Sequence, residues 1–247
     1  MPDISIRGKT YDTDLVIFDK DGTLLDFQET WVGIIRELVD LLKGYVPASS
    51  LIRERIEKAL GLSLDSGAID GKGALAMGTF SECNALITYC LYREGIRWDR
   101  AQDIAEKTGI VVFGHEVRKK HVKAARGVDR LLTMLRSRGI NLAVATNDKT
   151  ADALIDMDLI GASPYLDLVI GADSVKQSKP APDMVELICS RLGKSAGRAV
   201  LVGDTVMDAM LGRNSRVMLT IGVSGIVPAE ELAEHTDIVI ESLEDIS

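Results

Sequence analysis

The segment Val-Ile-Phe-Asp-Lys-Asp-Gly-Thr-Leu-Leu at 16–25 constrains this chain more than any other. The apolar run at 15–18 reads as a short buried strand. It ends on two aspartates one residue apart, Asp19 and Asp21, followed by Gly22 and Thr23. A strand that stops on paired carboxylates is costly to fold, because like charges repel and burial raises their pKa. The pair is expected where a divalent cation offsets the charge or where proton transfer is done.

The 247 residues are 46% hydrophobic, enough for a sizeable core in one domain or in a domain with a second one inserted. A net charge of −8 argues against a nucleic-acid or anionic-membrane surface. An anionic substrate must then be attracted locally, by a metal or a few placed lysines. The first residues show no apolar signal core, and no apolar run approaches the roughly 18 residues of a membrane span. Three scattered cysteines, Cys83, Cys90 and Cys189, suit reduced thiols and a cytoplasmic location. Cys83 and Cys90 share a helical face and read as packing, with no third ligand at zinc spacing. His115, His121 and His235 read as surface residues.

Past residue 26 the apolar period becomes helical. Trp31, Ile34, Ile35, Leu38, Leu41 and Leu42 recur at three- and four-residue steps, and Gly44 stops the pattern. Ser49 or Ser50 can cap a second helix that ends at Gly61. Glycines make 61–78 loop-like, and helical patterns resume at about 80–93, 99–107 and 112–124. The rest alternates helix and strand: helix 127–138, strand 140–145, helix 150–157, strand 166–170, helix 181–192, strand 199–202, helix 206–211, then strands 217–221 and 238–240. Continuous apolar strands alternating with helices predict a doubly wound, mainly parallel sheet of the α/β class. Only the strand at 15–18 is expected before the helical block. The organisation read is a discontinuous core, 1–26 with 124–247, interrupted by an all-helical insert at 27–123.

Ligands of open parallel sheets sit at the carboxyl ends of the strands. Four such ends carry polar residues: Asp19/Asp21; Thr146-Asn147-Asp148; Lys179-Pro180; and Asp204 with Asp208. Singly, Asp204 could be a helix cap, Thr146 a turn residue and Lys179 a solvated lysine. Their order along the chain gives the set its weight. It resembles the haloacid dehalogenase superfamily of phosphotransferases, and the insert resembles that superfamily's α-helical cap. Gly127-Val128 and the segment Ala-Val-Ala-Thr-Asn at 143–147 look most like the phosphoglycolate-phosphatase-like group.

The resemblance implies a Mg²⁺-dependent phosphatase acting on a small phosphate monoester, phosphoglycolate-like or a sugar phosphate. It implies that Asp19 attacks phosphorus to form an aspartyl-phosphate, and that Asp21 protonates the leaving oxygen and then activates water. Asp19, the Asp21 carbonyl and Asp204 would bind Mg²⁺, with Asp208 orienting Asp204 or a metal-bound water. Thr146 and the Asn147 backbone N–H would hold the phosphoryl oxygens at a helix N-terminus, and Lys179 would neutralise charge. An acid at position 21 favours P–O chemistry over the dehalogenase and phosphonate branches. Lys20 departs from the apolar residue of many relatives; it reads first as the partner of a nearby acid, and second as a substrate contact.

The glycine-rich stretch 64–73 is the candidate specificity loop of the insert, where Lys72 could meet a second anionic group or simply be solvated. The basic run 118–126 lacks interleaved aromatics and reads as the polar face of the returning helix of the insert. Three other readings compete. A sugar-phosphate mutase uses the same covalent intermediate. A signalling receiver domain is about half this length and lacks the insert. A non-catalytic binding protein would be expected to have lost one of the acids.

Overall fold

The computed structural model describes residues 2–247. In chain order the strands and helices are β1 (Asp3–Ile6), β2 (Lys9–Asp12), β3 (Leu15–Phe18), α1 (Phe27–Leu42), α2 (Ile52–Leu60), α3 (Ala74–Met77), α4 (Phe80–Arg93), α5 (Trp98–Val112), α6 (His115–His121), α7 (Val128–Ser137), β4 (Asn141–Ala145), α8 (Thr150–Leu159), β5 (Leu168–Ile170), α9 (Asp183–Leu192), β6 (Ala199–Gly203), α10 (Val206–Ser215), β7 (Leu219–Val223), α11 (Ala229–Ala233) and β8 (Ile238–Ile240). They form two compact units: residues 1–27 with 123–247, and residues 28–122.

The first unit is built on a six-stranded parallel sheet of order β5-β4-β3-β6-β7-β8. Leu15, Val16, Ile17 and Phe18 are all buried, as expected of a central strand covered on both faces. Burying a side chain such as Phe18 contributes about 1.5–3 kcal/mol. On one face Leu15, Ile17, Ala143 and Leu201 pack with Met184, Val185 and Ile188 of α9 and Leu211 of α10. The chain runs outward from β3 to β4 and β5, then returns to the other side of β3 as β6. This reversal of direction is the switch point where such sheets bind ligands. Register fixes what meets there: Phe18 pairs with both Val144 and Val202. Asp19, Thr146 and Asp204 therefore leave neighbouring strands at the same end.

The expectation of a single strand before the helices is corrected. An antiparallel hairpin, β1 with β2, precedes β3, in register Ile4↔Tyr11 and Ile6↔Lys9. Its turn residues Arg7 and Gly8 both have positive φ (49° and 78°), the requirement of a type I′ turn. The polar strand Lys9-Thr-Tyr-Asp gave no clear alternation, and Arg-Gly is not the usual turn pair.

The second unit is helical. α4 packs on α2 and on α5. Thr79 and Glu82 form a capping box that starts α4: the Glu82 N–H donates to Thr79 Oγ1, and the Thr79 N–H donates to Glu82 Oε2 at 2.7 Å. Gly61, at φ +80°, ends α2 in the left-handed conformation. Phe113 anchors an aromatic cluster, with ring centroids 5.9 Å from Trp31 and 5.0 Å from Phe80.

Two expectations for this unit need revision. The glycine-rich stretch is a tied turn rather than an open loop. Its Asp70 N–H donates to Gly61 O at 2.8 Å, Ser63 N–H to Ala68 O at 2.8 Å, and α3 follows directly. The basic run is not one solvated helical face. α6 ends at His121, and Arg118 is buried, donating from Nε to Phe113 O at 2.8 Å while stacking over that ring. Lys120 and His121 pair with Glu37. None of the helices among the described residues is long and apolar enough to cross a membrane.

Candidate active site

The site assembles at the carboxyl ends of β3, β4 and β6. The Asp19 N–H continues the sheet by donating to Val202 O at 2.8 Å, which aims its side chain beyond the strand end. Asp19 Oδ1 accepts from Lys179 Nζ at 2.5 Å, and the same ammonium donates to Asp208 Oδ1 at 2.5 Å. Lys179 is buried and lies between β5 and α9. It does not open that helix, which begins four residues later at Asp183.

Asp208 sits at the start of α10 and does two things. Its Oδ1 holds Lys179; its Oδ2 accepts the Thr205 N–H at 3.2 Å and the Thr205 hydroxyl at 2.6 Å, closing a capping box. Asp208 thus holds Lys179, a contact beyond the expected orientation of Asp204 or of a metal-bound water.

Asp204 is buried, and its Oδ1 accepts from the Thr23 hydroxyl at 3.5 Å. Its Oδ2 has no hydrogen-bond partner among the described residues. Gly22, at φ +82°, lies against this carboxylate so closely that a Cβ there would collide with it. A buried carboxylate oxygen with no donor costs on the order of 1–3 kcal/mol. Carboxylate oxygens of Asp19, Asp204 and Asp208 lie within 4.8 Å of one another. Three acids around one ammonium leave negative charge in excess, and an all-oxygen donor set of this kind suits Mg²⁺.

Electrostatics follow from this crowding. Burial pushes Asp19 up to about 7; Lys179 opposes the shift, while Asp208 and Asp21 add to it. Asp204 is raised well above the carboxylate range by burial and then by Asp19 and Asp208. Burial alone would lower Lys179, but Asp19 and Asp208 outweigh it and raise the ammonium's pKa.

Asp21 stands in a second charged group. Its Oδ2 lies 2.6 Å from Lys20 Nζ. Burial raises its pKa, Lys20 opposes, and Asp148 and Asp156 push it further up. Lys20 therefore pairs with acids, the first of the two expectations for it.

Thr146 is buried beside Asp19's strand, its N–H donating to Ile170 O at 3.0 Å and its Oγ1 accepting the Asp148 N–H at 3.2 Å. α8 begins only at Thr150, so Thr146 and Asn147 lie in the turn before the helix rather than at its first residues. Asn147 has a role the sequence did not reveal: its Oδ1 accepts the Lys179 N–H at 3.2 Å and ties that lysine's loop to the end of β4. Thr23 closes the first motif, but its contact with Asp204 was likewise not expected. No spacing signal reports either contact, since the partners are brought together by loop paths. Lys72 lies in the other unit, where its N–H donates to Asp70 Oδ1 at 2.9 Å.

This arrangement places the chain among α/β hydrolases that work from carboxylates at a sheet switch point. The haloacid dehalogenase-like hydrolases match it over residues 13–216, and the chain belongs to that family. It is 31% identical over 236 residues to "Probable phosphatase IndB" of Dickeya dadantii, covering 94% of this chain and 91% of that protein. Pyrophosphatase PpaX of Bacillus velezensis is 28% identical over 233 residues, covering 94% and 93%. A crystal structure described as a "predicted phosphoglycolate phosphatase" from Haemophilus somnus shares the fold, with a TM-score of 0.73 at 16% identity over 95% of this chain and 96% of that one. The chain is an enzyme of this family's phosphatase type.

Proposed function

We propose that the protein is a Mg²⁺-dependent phosphatase that hydrolyses a small phosphate monoester through a phosphoryl group carried on Asp19. The observation that carries this reading is the contact of Asp19 with Lys179 beside an Asp204 oxygen that has no donor among the described residues. Asp19, Asp204 and the Asp21 carbonyl would hold Mg²⁺, which when bound screens the carboxylates and orients the phosphoryl oxygens.

In the first step an Asp19 oxygen bonds to phosphorus as the P–O bond to the leaving group breaks. Asp21 gives its proton to the departing oxygen. In the second, a water oxygen bonds to phosphorus, its proton passes to Asp21, and the Asp19–phosphorus bond breaks to release inorganic phosphate. The carboxyl of Asp21, raised by burial, holds a proton more readily than an exposed aspartate, which suits the acid role. Lys179 offsets charge on Asp19 and on the transferring group. Asp208 and Asn147 keep Lys179 in place, and Thr146 with the Asn147 N–H would receive phosphoryl oxygens. The helical unit, residues 28–122, would act as the cap that meets the rest of the substrate.

The substrate class proposed is a small ester such as phosphoglycolate or a sugar phosphate. Pyrophosphate belongs in the same panel because of the likeness to PpaX. Phosphate release is measured with and without Mg²⁺, for wild type and Asp19→Asn. Metal-dependent turnover that disappears in the variant is expected. Well-folded wild type that releases no phosphate from any ester with Mg²⁺ present would overturn the reading; conversion of a sugar bisphosphate without phosphate release would replace it with a mutase.

A further inference from the structure

Lys20 is fully buried, yet three carboxylates converge on its Nζ: Asp21 Oδ2 at 2.6 Å, Asp156 Oδ2 at 2.9 Å and Asp148 Oδ2 at 3.1 Å. They come from the end of β3, from α8 and from the turn after β4. An ammonium carries three donors; Lys20 donates one to Asp156 Oδ2, while Asp148 Oδ2 lies at ion-pair distance without a hydrogen bond among the described residues. A methionine would fill the same space without the cost of burying charge. Packing alone therefore does not account for a lysine here. Asp156 is itself buried, at 1% exposure, so it gives the ammonium a rigid footing.

We propose that Lys20 is a positioning residue for Asp21. Anchored by Asp156 and Asp148, its ammonium grips Oδ2 of Asp21 and so fixes where Oδ1 points for proton exchange with the leaving oxygen and with water. The proposal rests on the phosphatase reading above. It differs from mere neutralisation of buried acids in one respect: its loss is felt only in steps that need Asp21.

The variant Lys20→Met/Asp156→Leu removes the ammonium and its deepest partner together, which leaves the charge balance of the cluster unchanged; Lys20→Met alone is the harsher comparison. Circular dichroism and thermal melting establish that the variants are folded. kcat/KM is then measured with Mg²⁺ for p-nitrophenyl phosphate and for the best alkyl phosphate of the panel. It reports the step in which the leaving group departs. An alkoxide needs the Asp21 proton, whereas p-nitrophenolate leaves without it. The alkyl ester is expected to lose about 10²-fold, the scale of a misplaced acid, and the aryl ester less than about threefold. Asp21→Asn should show the same selectivity. kcat should fall for both esters, because water attack uses the same carboxylate. Equal losses in kcat/KM on the two esters, or none on either, would overturn the positioning role while leaving the phosphatase reading intact. Wild type inactive on both esters would remove the reading itself and this inference with it.

Discussion

Asp19 is held between opposing influences: burial raises its carboxyl to about 7, and Lys179 pulls it back. Only the ionised form can attack phosphorus. At low Mg²⁺, where Asp19 is mostly without a cation, activity should therefore fall as pH drops through about 7. A bound divalent cation favours the carboxylate and moves this limb to lower pH. Profiles of kcat/KM against pH at low and saturating Mg²⁺ should separate on the acid side; superimposable acid limbs would count against direct contact of Asp19 with the metal. Asp204 offers a cleaner test. Its raised pKa and unpartnered oxygen mark it as destabilising in the cation-free protein. Asp204→Asn should melt a few degrees higher than wild type in EDTA, on a scale of about 2–4 °C per kcal/mol for a domain of this size. It should also lose the thermal shift produced by Mg²⁺ and at least ~10² in rate. Most of these residues could be read directly, because each acid or lysine follows an apolar strand. The contacts that orient them could not. Asn147 reaches Lys179 across 32 positions, and Lys20 finds Asp156 across 136. No local pattern encodes a pairing set by how loops and α8 settle on the sheet.

At the scale of elements, legibility follows the strength of the local signal. α4 is readable at about 80–93 from its apolar pattern, and the mutual hydrogen bonds of Thr79 and Glu82 fix where it starts. The buried strands are readable from unbroken apolar runs. α6 is not, since its basic residues suggest one polar face while Arg118 turns inward onto Phe113. The β1–β2 hairpin is hidden for another reason. Its turn uses Arg7 at φ 49°, a conformation that non-glycine residues adopt at a cost of order 1–3 kcal/mol. Asparagine tolerates that region far better and precedes glycine in the preferred type I′ turn. Arg7→Asn is thus expected to stabilise the protein by about 0.5–1 kcal/mol, with no effect on turnover. Chemical denaturation measures this directly, and an unchanged or lower midpoint would show that the turn is not under the strain inferred from its φ.

For the molecule as a whole, the buried carboxylates make stability a function of pH and metal together. Asp19, Asp21 and Asp204 are all raised in the folded state. Between the unfolded values near 4 and the folded value of about 7 for Asp19, the native protein holds protons that the unfolded chain has released. Stability from this source is therefore present at low pH and lost as pH rises through that window. Carboxylates with the opposite shift, such as Glu82 lowered by the Thr79 N–H and Asp173 lowered by the Thr150 N–H, contribute stability that is lost only as pH falls below about 4, outside the window. In EDTA the protein should melt at a lower temperature at pH 7.5 than at pH 5.5. Mg²⁺ held by the carboxylates of Asp19 and Asp204 would compete with the protons there, so it should stabilise more strongly at pH 7.5. At a hundred times its dissociation constant the gain is about 2.7 kcal/mol, which corresponds to roughly 5–10 °C. Asp19→Asn removes one of the three raised groups and should flatten the pH dependence in EDTA. Melting curves at both pH values, with and without Mg²⁺, decide the matter. A Mg²⁺ shift of the same size at pH 5.5 and 7.5 would mean that the cation does not displace protons from this cluster, and would move the metal site elsewhere.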